Sequence, residues 1–197
     1  MVIGARLDLR EGALSSMGVL SNNIAIAFNC SIENAIGSNF NDNITGNHMV
    51  NNLSGGLGND TFWTGSGNDF SFGAQGNDTY IFRLADGHDT INEQKLGGID
   101  ALSVELFAGL NEFTQDVAFR REGLDLIVDF ALDRGLDASG SVRIVNQKWG
   151  AYRVETLRFG STNIDLTSVY AQTTGTNKFF ALSGGSSVYG QLVSPVT

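Results

Sequence analysis

The sequence predicts an all-β protein, a parallel β solenoid followed by a β-structured C-terminal cap. Three observations carry that reading. Residues 37–81 repeat with a period of nine, 25 glycines stand against a single proline, and residues 101–159 alternate apolar with polar side chains. Abundant glycine without a three-residue period excludes a collagen-like helix, and the scarcity of strong helix formers argues against a coiled coil. At 197 residues the chain is long enough to bury a core in one domain or two small ones. Boundaries follow the changes in character: a lead-in over 1–36, the repeats over 37–92, a β-rich cap over 93–170, and a degenerate repeat or tail over 171–197.

In the lead-in, Met1-Val2-Ile3 runs at once into Arg6, Asp8 and Arg10, which is no ordinary signal peptide. No stretch of the chain approaches the ~18 to 20 apolar residues of a membrane span. The opening residues read as the inside of a folded module, so the chain reads as a fragment of a longer one. Cys30 is the single cysteine, which excludes an internal disulfide framework. It lies in the apolar run Ile24–Cys30 and reads as buried rather than nucleophilic.

The repeats follow as GSNFNDNIT (37–45), GNHMVNNLS (46–54), GGLGNDTFW (55–63), TGSGNDFSF (64–72) and GAQGNDTYI (73–81). Their sixth positions are Asp42, Asn51, Asp60, Asp69 and Asp78; their eighth positions are Ile44, Leu53, Phe62, Ser71 and Tyr80. Turn glycines recur at Gly55, Gly56 and Gly58, at Gly65 and Gly67, and at Gly73 and Gly76. A random Gly/Asn-rich linker does not hold three registers at once. Glycines supply the tight turns, the next three residues form a short strand, and the eighth-position side chain points inward. Two nonapeptides close one coil, so residues eighteen apart stack at about 4.8 Å, one strand spacing. Asp42, Asp60 and Asp78 then form one file, with Asn51 and Asp69 in the opposite one.

The net charge of −9 has the wrong sign for a phosphate-tracking groove, which excludes nucleic acid as the expected partner. Two thirds of that charge, −6, falls within residues 37–93. Bare carboxylates one strand spacing apart repel by about 3 kcal/mol per pair at an effective dielectric near 20. One apolar side chain per half-coil does not comfortably outweigh that and the ordering entropy together. A cation between the loops resolves the conflict. Every ligand on offer is oxygen, from Asp carboxylates and the carbonyls of glycine turns, which selects calcium over zinc, with magnesium demanding a stricter octahedron.

These motifs resemble the repeats-in-toxin, or hemolysin-type, calcium-binding proteins, whose nonapeptide GGxGxDxUx builds a parallel β-roll with calcium between successive turns. The match is strongest at Gly55–Trp63 and continues through Gly65–Asp69 and Gly76–Ile81. Thr79–Phe82 through Asp86-Gly87-His88-Asp89-Thr90-Ile91 resembles the family's exit from the roll, which adds Asp86 and Asp89 to the candidate ligands. Upstream, Leu7–Gly12 and Ile32–Gly37 resemble the segment leading into the roll of serralysin-type metalloproteases. The resemblance implies about two to four calcium ions, export by type I secretion machinery, and folding on extracellular calcium. Departures from the pattern are Phe40 and Met49 at fourth positions, Thr64 and Ala74 in place of turn glycines, Asn51 in place of Asp, and Ser71 in place of an inward apolar residue. Either Phe70 or Phe72 offsets Ser71, or the register shifts there.

Beyond Asp100, the stretches Ala101–Leu106, Val117–Arg121, Leu124–Phe130, Val142–Val145 and Val154–Phe159 read as strands, with Arg121-Glu122-Gly123 as a hairpin turn. This block resembles the hemolysin-related domain that follows such repeats, and a β cap protects an open solenoid end from edge pairing. Residues 174–190 look like a further degenerate repeat.

Catalytic constellations are missing from the sequence: no HExxH, no GxSxG elbow, no P-loop and no CxxC. His48 and His88 read as surface residues in turns, and Trp149 and Tyr152 as plugs of a core or cap rather than a sugar platform. A fixed nine-residue spacing of carboxylates fits stacked ligands rather than an opposed glycosidase acid and base. The expected function is therefore a non-catalytic calcium-binding module of a secreted, extracellular bacterial protein. The alternative is a polysaccharide-binding accessory module of a secreted protease or polysaccharide-modifying enzyme.

Overall fold

The protein is described by a computed structural model covering residues 4–83, 86–93, 98–105, 115–132, 140–148, 153–159, 162–172, 178–181 and 192–193. In the lead-in and the repeats the strands are β1 (Arg6–Asp8), β2 (Leu14–Ser15), β3 (Ile24–Ala25), β4 (Asn34–Ile36), β5 (Asn43–Thr45), β6 (Asn52–Leu57), β7 (Thr61–Trp63), β8 (Phe70–Gln75), β9 (Thr79–Arg83) and β10 (His88–Ile91). They are followed by β11 (Ala101–Glu105), β12 (Gln115–Glu122), β13 (Asp125–Leu132), β14 (Gly140–Ile144), β15 (Thr156–Phe159) and β16 (Thr162–Asp165). A short helix α1 (Leu166–Gln172) and strands β17 (Lys178–Ala181) and β18 (Leu192–Val193) complete the described elements.

The fold is essentially all-β, with two large and mostly parallel sheets. The first runs β1-β5-β7-β9-β11-β15-β16 and the second β18-β17-β12-β13-β14-β10-β8-β6-β4. Successive repeats alternate between them. In the first sheet Asn43 pairs with Thr61 and Thr61 with Thr79; in the second, Asn34 pairs with Asn52 and Asn52 with Phe70. Each step is eighteen residues, the coil length expected from the sequence. Both sheets continue past the repeats in parallel, through β9–β11–β15 and β8–β10–β14, before turning antiparallel at β16 and at β13.

Inward positions form one contiguous core. Ile44, Leu53, Phe62 and Tyr80 are buried and join Phe82, Ile91, Leu102, Leu126, Val128, Phe130 and Ile144. Phe62 stacks on Tyr80 with ring centroids 5.1 Å apart, the in-register consequence of two eighth-position aromatics on adjacent coils. Ser71 keeps its inward place, pairing with Leu53 and buried, whereas Phe70 is exposed; the register does not shift there. The hairpin after β12 turns at Gly123-Leu124, with Glu122 paired to Asp125, two residues beyond the start expected from sequence. Gly123 takes a φ of 64°, which explains why the turn settles on it.

Cys30 is exposed, contrary to the reading of Ile24–Cys30 as a buried run. The reason is topological. Among the described residues strand β3 pairs only with β2, in a two-stranded sheet, and Ile24, Phe28, Leu14 and Val19 remain exposed around it. Apolar composition cannot reveal the absence of a covering layer. Trp149, Tyr152 and nearly all of 174–190 lie outside the described residues.

Candidate metal centre

The parallel register places Asp42, Asp60 and Asp78 in one file, and the structure adds Asp100 and Glu155 to it. Asp42 N–H donates to Asp60 Oδ1 at 2.8 Å, Asp60 N–H to Asp78 Oδ1 at 2.8 Å, and Asp78 N–H to Asp100 Oδ1 at 2.7 Å. Asp100 N–H donates to Glu155 Oε2 at 2.8 Å. Each carboxylate thus anchors the coil before it. At the start of the file, Asp42 accepts from the backbone of Ala5 and of Ser38.

The opposite file holds Asn51, Asp69 and Asp89. Asn51 N–H donates to Asp69 Oδ1 at 2.7 Å and Asp69 N–H to Asp89 Oδ1 at 3.0 Å. Thr64 Oγ1 donates to Asp89 Oδ2 at 2.8 Å, so the threonine that replaces a turn glycine supports the file by hydrogen bonding. Asn51 uses its amide differently. Nδ2 donates to Ile32 O at 3.2 Å and to Asn47 Oδ1 at 3.3 Å, placing a hydrogen-bond donor where its counterparts have bare oxygen. Asp86 belongs to neither hydrogen-bonded ladder, accepting from the Arg83 N–H at 2.7 Å, but its charge helps to raise Asp69 and Asp89.

Only one oxygen of most file carboxylates is used. Oδ2 of Asp60, Asp69, Asp78 and Asp100, and Oε2 of Glu93, are buried without a hydrogen-bond partner. A buried, unsatisfied carboxylate oxygen is costly, and the titration of these groups reflects it. Burial, reinforced by neighbouring acids, raises Asp60, Asp89 and Asp100 to about 7 and Asp69 to about 6. Burial and the charge of Asp100 raise Glu93 to about 8, although the Tyr80 hydroxyl donates to its other oxygen. Burial likewise raises Asp78, and lifts Asp86 to about 6.

The glycines shape the space. A Cβ at Gly55 would overlap Asp60 Oδ2, and one at Gly73 would overlap Asp78 Oδ2 and meet Glu93, so the first-position glycines open the cradles that the carboxylates fill. Gly56, Gly58, Gly65, Gly67 and Gly76 all have positive φ. At Gly76, with φ 137°, a side chain would also collide with the Gly58 carbonyl of the coil below. These turns therefore stack carbonyl against glycine, a packing closed to any residue with a Cβ.

Asp78, Glu93 and Asp100 each present a carboxylate oxygen within 4.8 Å of the other two, and all three are buried. That group is a cradle of oxygens able to hold one metal ion. Sequence periodicity did not single out Glu93 or Asp100 as ligands. The signal was present in weaker form: Gly98-Ile99-Asp100-Ala101-Leu102 keeps the Gly-x-Asp-x-apolar pattern of Gly58–Phe62, but falls 22 residues after Asp78. A second ladder was also missed. Asn41, Asn59 and Asn77 accept through Oδ1 from the backbone N–H of Asn59, Asn77 and Ile99, at 2.8–2.9 Å.

No curated protein matches the chain. Residues 4–154 match the family model described as peptidase M10 serralysin C terminal, more than three quarters of the sequence. That span contains both carboxylate files from Asp42 to Asp100 and the strands that carry them. On this match the chain belongs to the serralysin C-terminal family of the M10 peptidases, and corresponds to its non-catalytic C-terminal extension.

Proposed function

We propose that this module binds calcium along its two carboxylate files and folds as a closed β-roll in response to it, outside the cell after type I secretion. The observation that carries the reading is the set of buried, unpartnered oxygens on Asp60, Asp69, Asp78, Asp100 and Glu93. Their donor set is all oxygen and anionic, which suits a hard ion with a flexible shell. In this reading bound calcium supplies the positive charge that the files lack. Asp60, Asp78, Asp100 and Glu93 hold ions on one side, and Asp69 and Asp89 on the other, about two to four in all. The turn carbonyls of Gly55, Gly56, Gly58, Gly65, Gly67, Gly73 and Gly76 complete the shells. Asn51 caps its file with an amide, and Asp42 and Asp86 act at the margins. Residues 37–92 form the metal-binding roll, 1–36 lead into it, and 93–170 close it as a cap.

Linkage makes such a module a switch. Metal that binds only the folded state stabilises it by RT ln(1 + [Ca]/Kd), about 1.4 kcal/mol for a site of Kd ~10⁻⁴ M in millimolar calcium. Several coupled sites then decide between folded and unfolded chain, which fits passage through a secretion channel followed by folding outside. Far-ultraviolet circular dichroism and tryptophan fluorescence through a calcium titration from chelator test this. The expected result is a cooperative gain of β structure. A spectrum and melting temperature indifferent to calcium would overturn the reading.

A further inference from the structure

The outward face of the first sheet carries an open cleft that shares only Gly65 and Asp86 with the proposed calcium sites. It encloses about 450 Å³ beside Trp63, and a second cavity of about 350 Å³ adjoins it, the two sharing Arg10, Thr45 and Trp63. Both volumes fall within the ~300–1,000 Å³ range of small-molecule sites. The Trp63 side chain is 41 % exposed, whereas its strand neighbour Phe62 is wholly buried. An indole held at the border of two cavities is a platform rather than a plug.

The polar groups around it are held in place by their own neighbours. Asp8 grips the Arg10 guanidinium through Nε at 2.9 Å and Nη2 at 2.7 Å. Glu11 Oε2 accepts the Asn29 N–H at 2.8 Å, and Asp86 Oδ2 accepts the Arg83 N–H at 2.7 Å. Arg83 donates from Nε to Glu105 at 2.9 Å and its guanidinium sits over one face of the Trp63 ring, 5.4 Å from the centroid, so a ligand meets the indole surface that Arg83 does not cover. Side chains fixed in this way lose little freedom when a ligand arrives, which favours binding by a small, weakly held ring.

Charge narrows the ligand class. Arg6, Arg10 and Arg83 are the only Lys or Arg residues in positions 1–93, and all three line these cavities. Asp8, Glu11, Asp86 and Glu105 offset them, so the cleft is close to charge balance inside an otherwise strongly acidic stretch. Neither a polyanion nor a cation gains from such a lining. An apolar peptide finds little more than Trp63 and the half-buried Ile81. A polyhydroxylated ring suits both parts, its C–H face on the indole and its hydroxyls toward fixed guanidinium and carboxylate groups.

We propose that the Trp63 cleft binds a neutral glycan, with a pyranose ring packed on the indole surface left open by Arg83. The test is isothermal titration of the calcium-loaded full chain with cellohexaose, xylohexaose, laminarihexaose and N-acetylated chitohexaose, with hexagalacturonate as the anionic probe. At least one neutral hexasaccharide is expected to bind saturably, and Trp63→Ala to weaken that binding at least about tenfold. Glu11→Ala and His48→Ala, both at exposed rim positions, are expected to weaken it as well and serve if Trp63→Ala does not fold. Circular dichroism and calcium binding of each variant separate loss of the cleft from loss of the fold. Failure of every neutral probe, binding of hexagalacturonate alone, or affinity undiminished in all three variants would overturn the proposal.

Discussion

Replacing Asp60 with Asn isolates the charge of one file member from its hydrogen bonding. Asp60 is 1 % exposed, its Oδ1 accepts the Asp42 N–H at 2.8 Å, and its Oδ2 has no partner. Burial, with the charges of Asp78 and Asp42, lifts its pKa from 3.8 to about 7. At ~1.36 kcal/mol per unit, keeping this group ionised without metal costs about 4 kcal/mol, as an order of magnitude. The sign follows from proton counting. Between the unfolded and folded values the folded chain holds more protons, so the stability of the metal-free fold falls as pH rises from about 4 to about 7 and stays low above that. Asp69 and Asp86 near 6, Asp89 and Asp100 near 7, and Glu93 near 8 have the same sign and extend the decline to about pH 8. Asparagine keeps an acceptor for the Asp42 N–H and cannot ionise; Asn51, at the matching place in the other file, accepts instead from the Asn47 N–H of its own turn. The expected outcome is a crossover. In chelator the Asp60→Asn protein is more stable than wild type near pH 8 and little different near pH 4, whereas in calcium it is less stable. Urea denaturation at several pH values, with chelator and with calcium, reads all of this. Equal destabilisation by the substitution in both media, with an unchanged pH profile, would refute the reasoning.

Ala74 occupies a left-handed conformation, φ 77°, opposite Gly56 in the register; Ala74→Gly relieves ~1–2 kcal/mol of strain against ~0.4–1 kcal/mol of added chain entropy, so the calcium-loaded melting temperature should rise slightly. Gly76→Ala forces a side chain onto the Gly58 carbonyl and should lose more than about 3 kcal/mol, seen as a collapse of the urea midpoint. Gly123→Ala, also at positive φ but with open space around it, should lose only ~1 kcal/mol in the same assay. Tyr80→Phe removes the hydroxyl that donates to Glu93, leaving it the Ala74 backbone, and a loss of ~1–3 kcal/mol is expected in chelator denaturation, smaller in calcium if Glu93 is a ligand.

The repeat shows how much of a stack of parallel strands is visible in one dimension. A period of nine that holds glycine, acid and apolar positions together sets the coil length, the inward face and the two files, because stacking of identical turns converts sequence spacing directly into strand spacing. Thus Phe62 above Tyr80 and Asp60 above Asp78 were legible before any coordinates, and even the polar Ser71 kept its register. Legibility ended where the period broke. Asp100 lies 22 residues from Asp78, and Asp89 lies 20 from Asp69, yet both complete the files, because extra residues are absorbed outside the strands while pairing restores the stack.

Other features belong to tertiary structure alone. Sequence determined that acids would face one another; only the packing of coils decided which of their oxygens were left buried without partners, and how deeply each carboxylate is buried, which is the first cause of its raised pKa. Cys30 and Phe28 are exposed because no layer among the described residues covers the segment around β2 and β3, a fact that apolar composition does not encode. Arg6, Arg10 and Arg83 meet at Trp63 because parallel pairing of β1, β5, β7 and β9 brings distant positions onto one sheet face. Local spacing is written in the chain, whereas burial and convergence arise only when the sheets close over one another and exclude water.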